Sequence, residues 1–244
     1  MTVAQHAARP ARADSIFFPG MAWAMAAVVF AGFAPTWFLR GYVPIPVPMV
    51  PLSPLVIVHG TAFTLWMALF ITQTSLVAVN RRDIHRKLGW WTVGLAVVLL
   101  VLGWMAALDS LRHGVSPVPA ISPATFFAVP IGSLASFAPL VLLGVVNRKR
   151  AEYHKRYMLI SIMVVLIPAA ARIPLWYFPQ IMPLLFAFAV ADIFLLALAG
   201  YDFHRRGKIH PATWIGGGIL IVLEPGRMLI GQTHWWQAFA NSLV

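Results

Sequence analysis

Cysteine is absent from the chain, which excludes disulfides, thiolate-ligated zinc and iron–sulfur clusters. Charge is scarce as well. Charged residues make up 10% of the sequence and only 7 are acidic, whereas soluble domains carry about a quarter charged residues. Apolar residues take their place: 60% of the 244 residues are hydrophobic and the mean hydropathy is +0.81. This is the composition of a membrane protein. No segment between the apolar runs is long enough to fold as a soluble domain.

A bilayer-spanning helix needs roughly 20 mostly apolar residues. Seven stretches qualify, approximately 19–39, 54–79, 88–108, 125–146, 157–178, 181–201 and 212–232. The first starts too far from Met1 and has the wrong flanks for a cleaved secretory signal. The expected fold is therefore all-α, a single polytopic transmembrane domain over 1–244 with seven helices.

The formal net charge of +11 would suggest nucleic acid in a soluble protein, but the placement of the charges says otherwise. Arg9 and Arg12 precede span one. Arg81, Arg82, Arg86 and Lys87 follow span two, and Arg148, Lys149, Arg150, Lys155 and Arg156 follow span four. Arg205, Arg206 and Lys208 follow span six. All fourteen fall on one side, against Arg40 and Arg112 on the other. Positive loops stay cytoplasmic, so the expected topology is N-terminus cytoplasmic and C-terminus outside. The partner implied is a lipid bilayer, helped by anionic lipid, and not nucleic acid.

Two loops on the outer side are rich in proline, "GYVPIPVPMVPLSP" (41–54) and "VSPVPAISP" (115–123). Such density favours extended polyproline II structure, suited to a stiff connector or to a lid over the bundle.

Four ionisable residues fall well inside spans: Arg172, Asp192, Glu224 and Arg227. A charge at the bilayer centre costs at least about 2.5–3.5 kcal/mol, so such residues face the bundle interior and find partners. Their charges sum to zero. At a rise of about 1.5 Å per residue, Arg172 lies about 22 Å from the cytoplasmic end of span five, with Arg227 at similar depth in span seven. Prolines stand near both arginines, in "IPAAARIP" and in "LEPGR". Broken backbone at membrane depth is tolerated where it lines a cavity or is buried. These features predict a polar pocket in the outer half of the bundle. Arginine's planar fork suits a carboxylate or phosphate there, so a small anionic ligand is the expected partner. A bundle-locking ion-pair network and a proton relay through Asp192 and Glu224 remain alternatives.

His59, in "VIVHGTAF", falls in the same outer layer and joins that pocket as a candidate ligand or proton carrier. His85, His154, His204 and His210 gather near the cytoplasmic edge, where neutral imidazoles suit iron, copper or zinc. His59, His85 and His154 are the candidates for haem or metal ligation. Surrounding basic residues disfavour a bare dication, while haem brings its own negative propionates. Span seven has no lysine to form a retinal Schiff base, and no serine or metal constellation points to a hydrolase. Enzymatic activity is left open.

The stretch "HGTAFTLWMALFITQTSLVAVNRRDIHRKLGWW" and the later "EYHKRYMLISI" resemble a group of bacterial seven-span membrane proteins. That group shares a histidine early in one span, an HRxLG element opening the next and an HKRxM element further on. Here these are His59, then His85, Arg86, Leu88 and Gly89, then His154, Lys155, Arg156 and Met158. More loosely, the chain is similar to transmembrane b-type cytochromes and haem-copper oxidase assembly proteins. The resemblance implies the bacterial inner membrane and, as cofactor, haem b or a quinone. A redox or electron-transfer role leads the expectations, with the arginines holding propionates or a quinone headgroup and His59 as ligand or proton carrier. A proton-coupled carrier of a small organic anion is the first alternative. A non-catalytic assembly or structural subunit is the second.

Overall fold

The computed structural model describes residues 12–44, 51–116 and 121–244. Arg9, His6 and the middle parts of both proline-rich connections lie outside these residues. Every regular element among the described residues is helical. The order is α1 (Arg12–Phe33), a π-helical turn (Ala34–Phe38), α2 (Pro54–Ala78), α3 (Arg82–Arg112), α4 (Pro123–Val146) and α5 (Ala151–Ala170). Then come α6 (Arg172–Tyr177), α7 (Pro183–Arg206), α8 (Pro211–Gly231) and α9 (His234–Asn241).

Among the described residues, seven helical stretches are long and apolar enough to cross a membrane, with α1 counted through the π turn and α5 through α6. They outrun the apolar runs at several ends. α3 begins at Arg82 and α7 continues to Arg206, so charged stretches that read as loops form terminal helical turns. Local chemistry sets the starts: α2, α4, α7 and α8 each open on proline, whose missing N–H is unneeded in a first turn. Ser53 and Ser122 cap α2 and α4 by accepting from Val56 N (3.3 Å) and Thr125 N (3.2 Å). Gly207, with φ of 69°, ends α7 in the left-handed region that glycine adopts without strain.

The helices do not share the burial equally. In α5 67% of the apolar window is buried, against 33% or less in every other span. α5 packs on α1, α4, α7 and α8, and α2 and α3 complete the surrounding layer. Close approach needs small residues. A Cβ on Gly32 of α1 would fall onto the backbone of Ala169 in α5, so glycine alone allows this crossing. The outward faces carry Trp23, Leu65, Val101, Leu142, Leu196 and Val222, the surface a lipid phase would cover.

The tight turns 79–81, 147–150 and 207–210 share one end of the bundle with the start of α1, where Lys155 pairs with Asp14 at 3.0 Å. This is the basic end. At the far end the C-terminal α9 folds back on α4: Trp236 Nε1 donates to Ala124 O (2.9 Å), and Gln237 Nε2 to the Thr125 hydroxyl (2.8 Å). The apolar-run pattern does not register α9, which is short and amphipathic.

Proline acts differently in the two segments expected to break. The helical run of span five is interrupted at Ala171, between Pro168 and Pro174. α8 passes through Pro225 as one helix. Only one of the two expected breaks is thus an interruption.

Candidate functional site

The five pocket candidates fall into two groups in the far half of the bundle. The first joins α7 to α8. Glu224 and Arg227 share a face of α8, three residues apart, and Asp192 of α7 lies close enough to act electrostatically on Glu224. Glu224 is 3% exposed and Arg227 2%. The guanidinium donates to its own Leu223 O (3.0 Å) and to the Ser133 hydroxyl of α4 (2.8 Å), and lies over the Phe188 ring at 5.5 Å. Gly132 makes room for this: a Cβ there would stand 2.8 Å from Arg227 Cβ. Three buried atoms in this group have no hydrogen-bond partner among the described residues, namely Arg227 Nη2, Glu224 Oε1 and Asp192 Oδ1. A buried unpaired polar atom is costly. Two acids and a cation thus lie within electrostatic range of one another, with no ion pair of 4.0 Å or less among them, and with hydrogen-bonding capacity to spare.

The second group joins α2 to the break after α5. Arg172 Nη1 donates to Pro168 O (2.7 Å), so the side chain serves a carbonyl at the broken backbone. Its guanidinium lies 4.6 Å over the Phe33 ring. His59 is within electrostatic range of Arg172 and stacks obliquely near Phe63 at 5.8 Å. Its Nδ1 is buried without a partner among the described residues. The two arginines thus use the same device, a backbone carbonyl plus an aromatic face.

At the basic end, sequence reasoning missed a denser network. Arg156 (1% exposed) and Asp202 (0% exposed) form a buried ion pair between α5 and α7, with Nε and Nη2 both donating to Oδ1. The other carboxylate oxygen, Oδ2, accepts from His210 N (3.1 Å) and the Thr213 hydroxyl (2.5 Å). Arg156 Nη1 also reaches Glu152 (2.8 Å), and Lys155 bridges Glu152 (2.6 Å) and Asp14 (3.0 Å). Tyr201 donates to Asp14 at 2.5 Å while its ring stacks on Phe17 at 4.0 Å. This network ties α1, α5, α7 and α8 together. Burial is the main force holding the His210 imidazole below its ordinary pKa, aided by the charges of Arg156 and Arg206. Its Nδ1 caps α8 by accepting from Ala212 N at 3.0 Å.

Of the three histidines considered for haem or metal, two come together. The rings of His85 (α3) and His154 (α5) have centroids 6.0 Å apart and planes at 82°. His59 belongs to the far half, away from them. His154 Nδ1 is bonded to Gly144 O at 2.8 Å, and the Gln73 side-chain amide lies 2.7 Å from His85 Nδ1.

No known protein family, curated protein or solved structure matches this chain.

Proposed function

We propose that this is a multi-pass membrane carrier, of bacterial inner-membrane type with its basic end cytoplasmic, that binds a small anion together with a proton. The supporting observation is the conjunction of Arg227 Nη2, Glu224 Oε1 and Asp192 Oδ1, all buried and unpartnered within one group. A guanidinium with a free N–H suits a carboxylate or phosphate oxygen. Two interacting carboxyl groups in a poorly solvated site keep one proton more readily than both lose theirs. Anion and proton then enter as a near-neutral pair, which lowers the cost of crossing an apolar layer. Arg227 is the anion contact, and Asp192 with Glu224 is the proton carrier.

The test uses purified protein in proteoliposomes containing a pH-sensitive dye. Acetate, lactate, succinate and phosphate gradients are applied in turn. The expected result is proton movement driven by at least one of them, lost in Arg227→Gln. Glu224→Gln is expected to retain anion-dependent thermal stabilisation while losing the proton signal. Neither stabilisation nor proton movement with any of the four would overturn the proposal.

A redox reading draws on the basic end instead. The imidazoles that meet are His85 and His154, so a haem- or quinone-associated role centred on His59 has less geometric support than one centred on that pair.

A further inference from the structure

A cavity of about 210 Å³ opens at the basic end, lined by Asp14 of α1, Glu152 and Arg156 of α5, and Tyr201, Arg205 and Arg206 of α7. It lies at the opposite end of the bundle from Arg227, Glu224 and Asp192. The three helices meet here because α1 and α7 both pack on α5, and the Phe17 ring stacks on Tyr201 at 4.0 Å.

The hydrogen bonds around this wall leave donors in excess. Every carboxylate oxygen in it already accepts. Asp14 Oδ1 takes the Tyr201 hydroxyl (2.5 Å) and Oδ2 takes Lys155 Nζ (3.0 Å). Glu152 Oε1 takes Lys155 Nζ (2.6 Å), and Oε2 takes Arg156 Nη1 (2.8 Å). Arg156 is spent as well, its other nitrogens being turned to Asp202. Arg205 is not. Its guanidinium makes no hydrogen bond or ion pair among the described residues, although it stands within electrostatic range of Tyr201. Arg206 has a single long contact, Nη1 to Glu152 Oε2 at 3.5 Å. A guanidinium carries five N–H donors in a fixed fork, so two adjacent arginines line one cavity with most of their donors unused.

Charge and surroundings narrow the ligand. Lys155, Arg156, Arg205 and Arg206 outnumber Asp14, Glu152 and Asp202 by one, so a singly charged anion balances the set. Paired guanidinium forks suit the oxygens of a phosphate group, and basic pockets between spans bind lipid phosphates. Phe203, 64% exposed, precedes Arg206 by one turn on the same face of α7, and Leu196, 70% exposed, lies two turns further back. An apolar strip thus leads away from the arginines as acyl chains would.

We infer that the cavity between α1, α5 and α7 binds an anionic phosphate group, with Arg205 and Arg206 as its contacts. The phosphate belongs either to a lipid headgroup or to free phosphate in solution. The site is separate from the carrier group and does not depend on the carrier reading.

The experiment follows thermal unfolding of purified full-length protein in two titrations. In one, phosphatidylglycerol replaces phosphatidylcholine in mixed micelles; in the other, potassium phosphate replaces potassium chloride at constant ionic strength. A ligand that binds only the folded state raises the melting temperature with its concentration, and at least one titration is expected to do so. Arg205→Gln breaks no bond of the network and is expected to raise the half-maximal concentration about tenfold, as for one lost charge-assisted hydrogen bond. The double variant Arg205→Gln/Arg206→Gln is expected to raise it further. Lys149→Gln, which removes the same unit charge from an exposed turn at the same end, is expected to leave it unchanged. The phosphate titration is repeated in Arg227→Gln, where the stabilisation is expected to persist. Stabilisation by the lipid alone assigns the phosphate to a headgroup, and stabilisation by inorganic phosphate assigns it to free solution. No stabilisation in either titration, a response indifferent to both arginines, or an equal loss in Lys149→Gln would overturn the inference. So would a response confined to inorganic phosphate and lost in Arg227→Gln.

Discussion

Asp202, near the end of α7, accepts two hydrogen bonds from the guanidinium of Arg156 on α5, and both side chains are sealed from solvent. Removing one partner of such a pair leaves an uncompensated buried charge, which costs about 3–5 kcal/mol. Arg156→Ala and Asp202→Ala are each expected to destabilise the protein by that amount. The double variant should cost clearly less than the sum, because neither charge is then left alone. Thermal unfolding in detergent of the four proteins in this cycle measures it. Additive losses would show that the two side chains contribute independently.

A smaller substitution tests the far half. Gly132→Ala places a methyl group against Arg227 Cβ, and overpacking of this kind costs about 1–3 kcal/mol. The expected outcome is a modest loss of thermal stability together with loss of any anion-dependent stabilisation, since the displaced side chain is the proposed anion contact. Stability and anion response both at wild-type level would show that Arg227 tolerates a shift without consequence.

His210 supplies a pH dependence with a definite sign. Its pKa in the folded protein is lowered, chiefly by burial, and its Nδ1 lone pair caps α8. The unfolded chain therefore takes up a proton first as pH falls. The stabilisation is fully present above the ordinary histidine value of about 6.5 and is lost as pH drops below it toward the folded value. His210→Asn keeps a capping acceptor and cannot titrate. The stability difference between the two proteins is expected to shift in favour of the variant between about pH 6.5 and 5. A difference constant across that range would contradict the assignment.

The natural absence of cysteine makes the topology directly measurable. Lys149 sits at the basic end and Ser242 follows α9 at the other. In intact cells a membrane-impermeant maleimide is expected to label Ser242→Cys, and to label Lys149→Cys only after permeabilisation. The reverse pattern would invert the orientation.

Sequence patterns revealed much of this architecture and little of its wiring. Apolar runs and clustered arginines are collective signals, and they correspond to the helices and the basic turns. Asp202 escaped notice for a local reason. It follows an apolar run within "DFHRR" and reads as part of a solvated turn, whereas α7 continues through it and buries it against α5. Arg156 was disguised in the same way among the basic residues of "EYHKR". For the intramembrane charges, the sequence showed that partners were needed but not which side chains would meet. Glu224 and Arg227 were expected together from their spacing. The separation of Arg172 and His59 from them depends on which face each helix turns inward, and α8, with glycines on several sides, gives little indication. The meeting of His85 with His154 is a tertiary event between helices that are not neighbours in sequence.

The central position of α5 carries a mechanical consequence. Arg156 lies in its second turn and Arg172 follows just past its other end, roughly 24 Å away at the rise of a helix. The helix that holds the buried Arg156 at one face ends at Ala170, so Arg172 and the Phe33 ring lie past an interruption, and the two faces are joined by one central helix without being one unbroken rod.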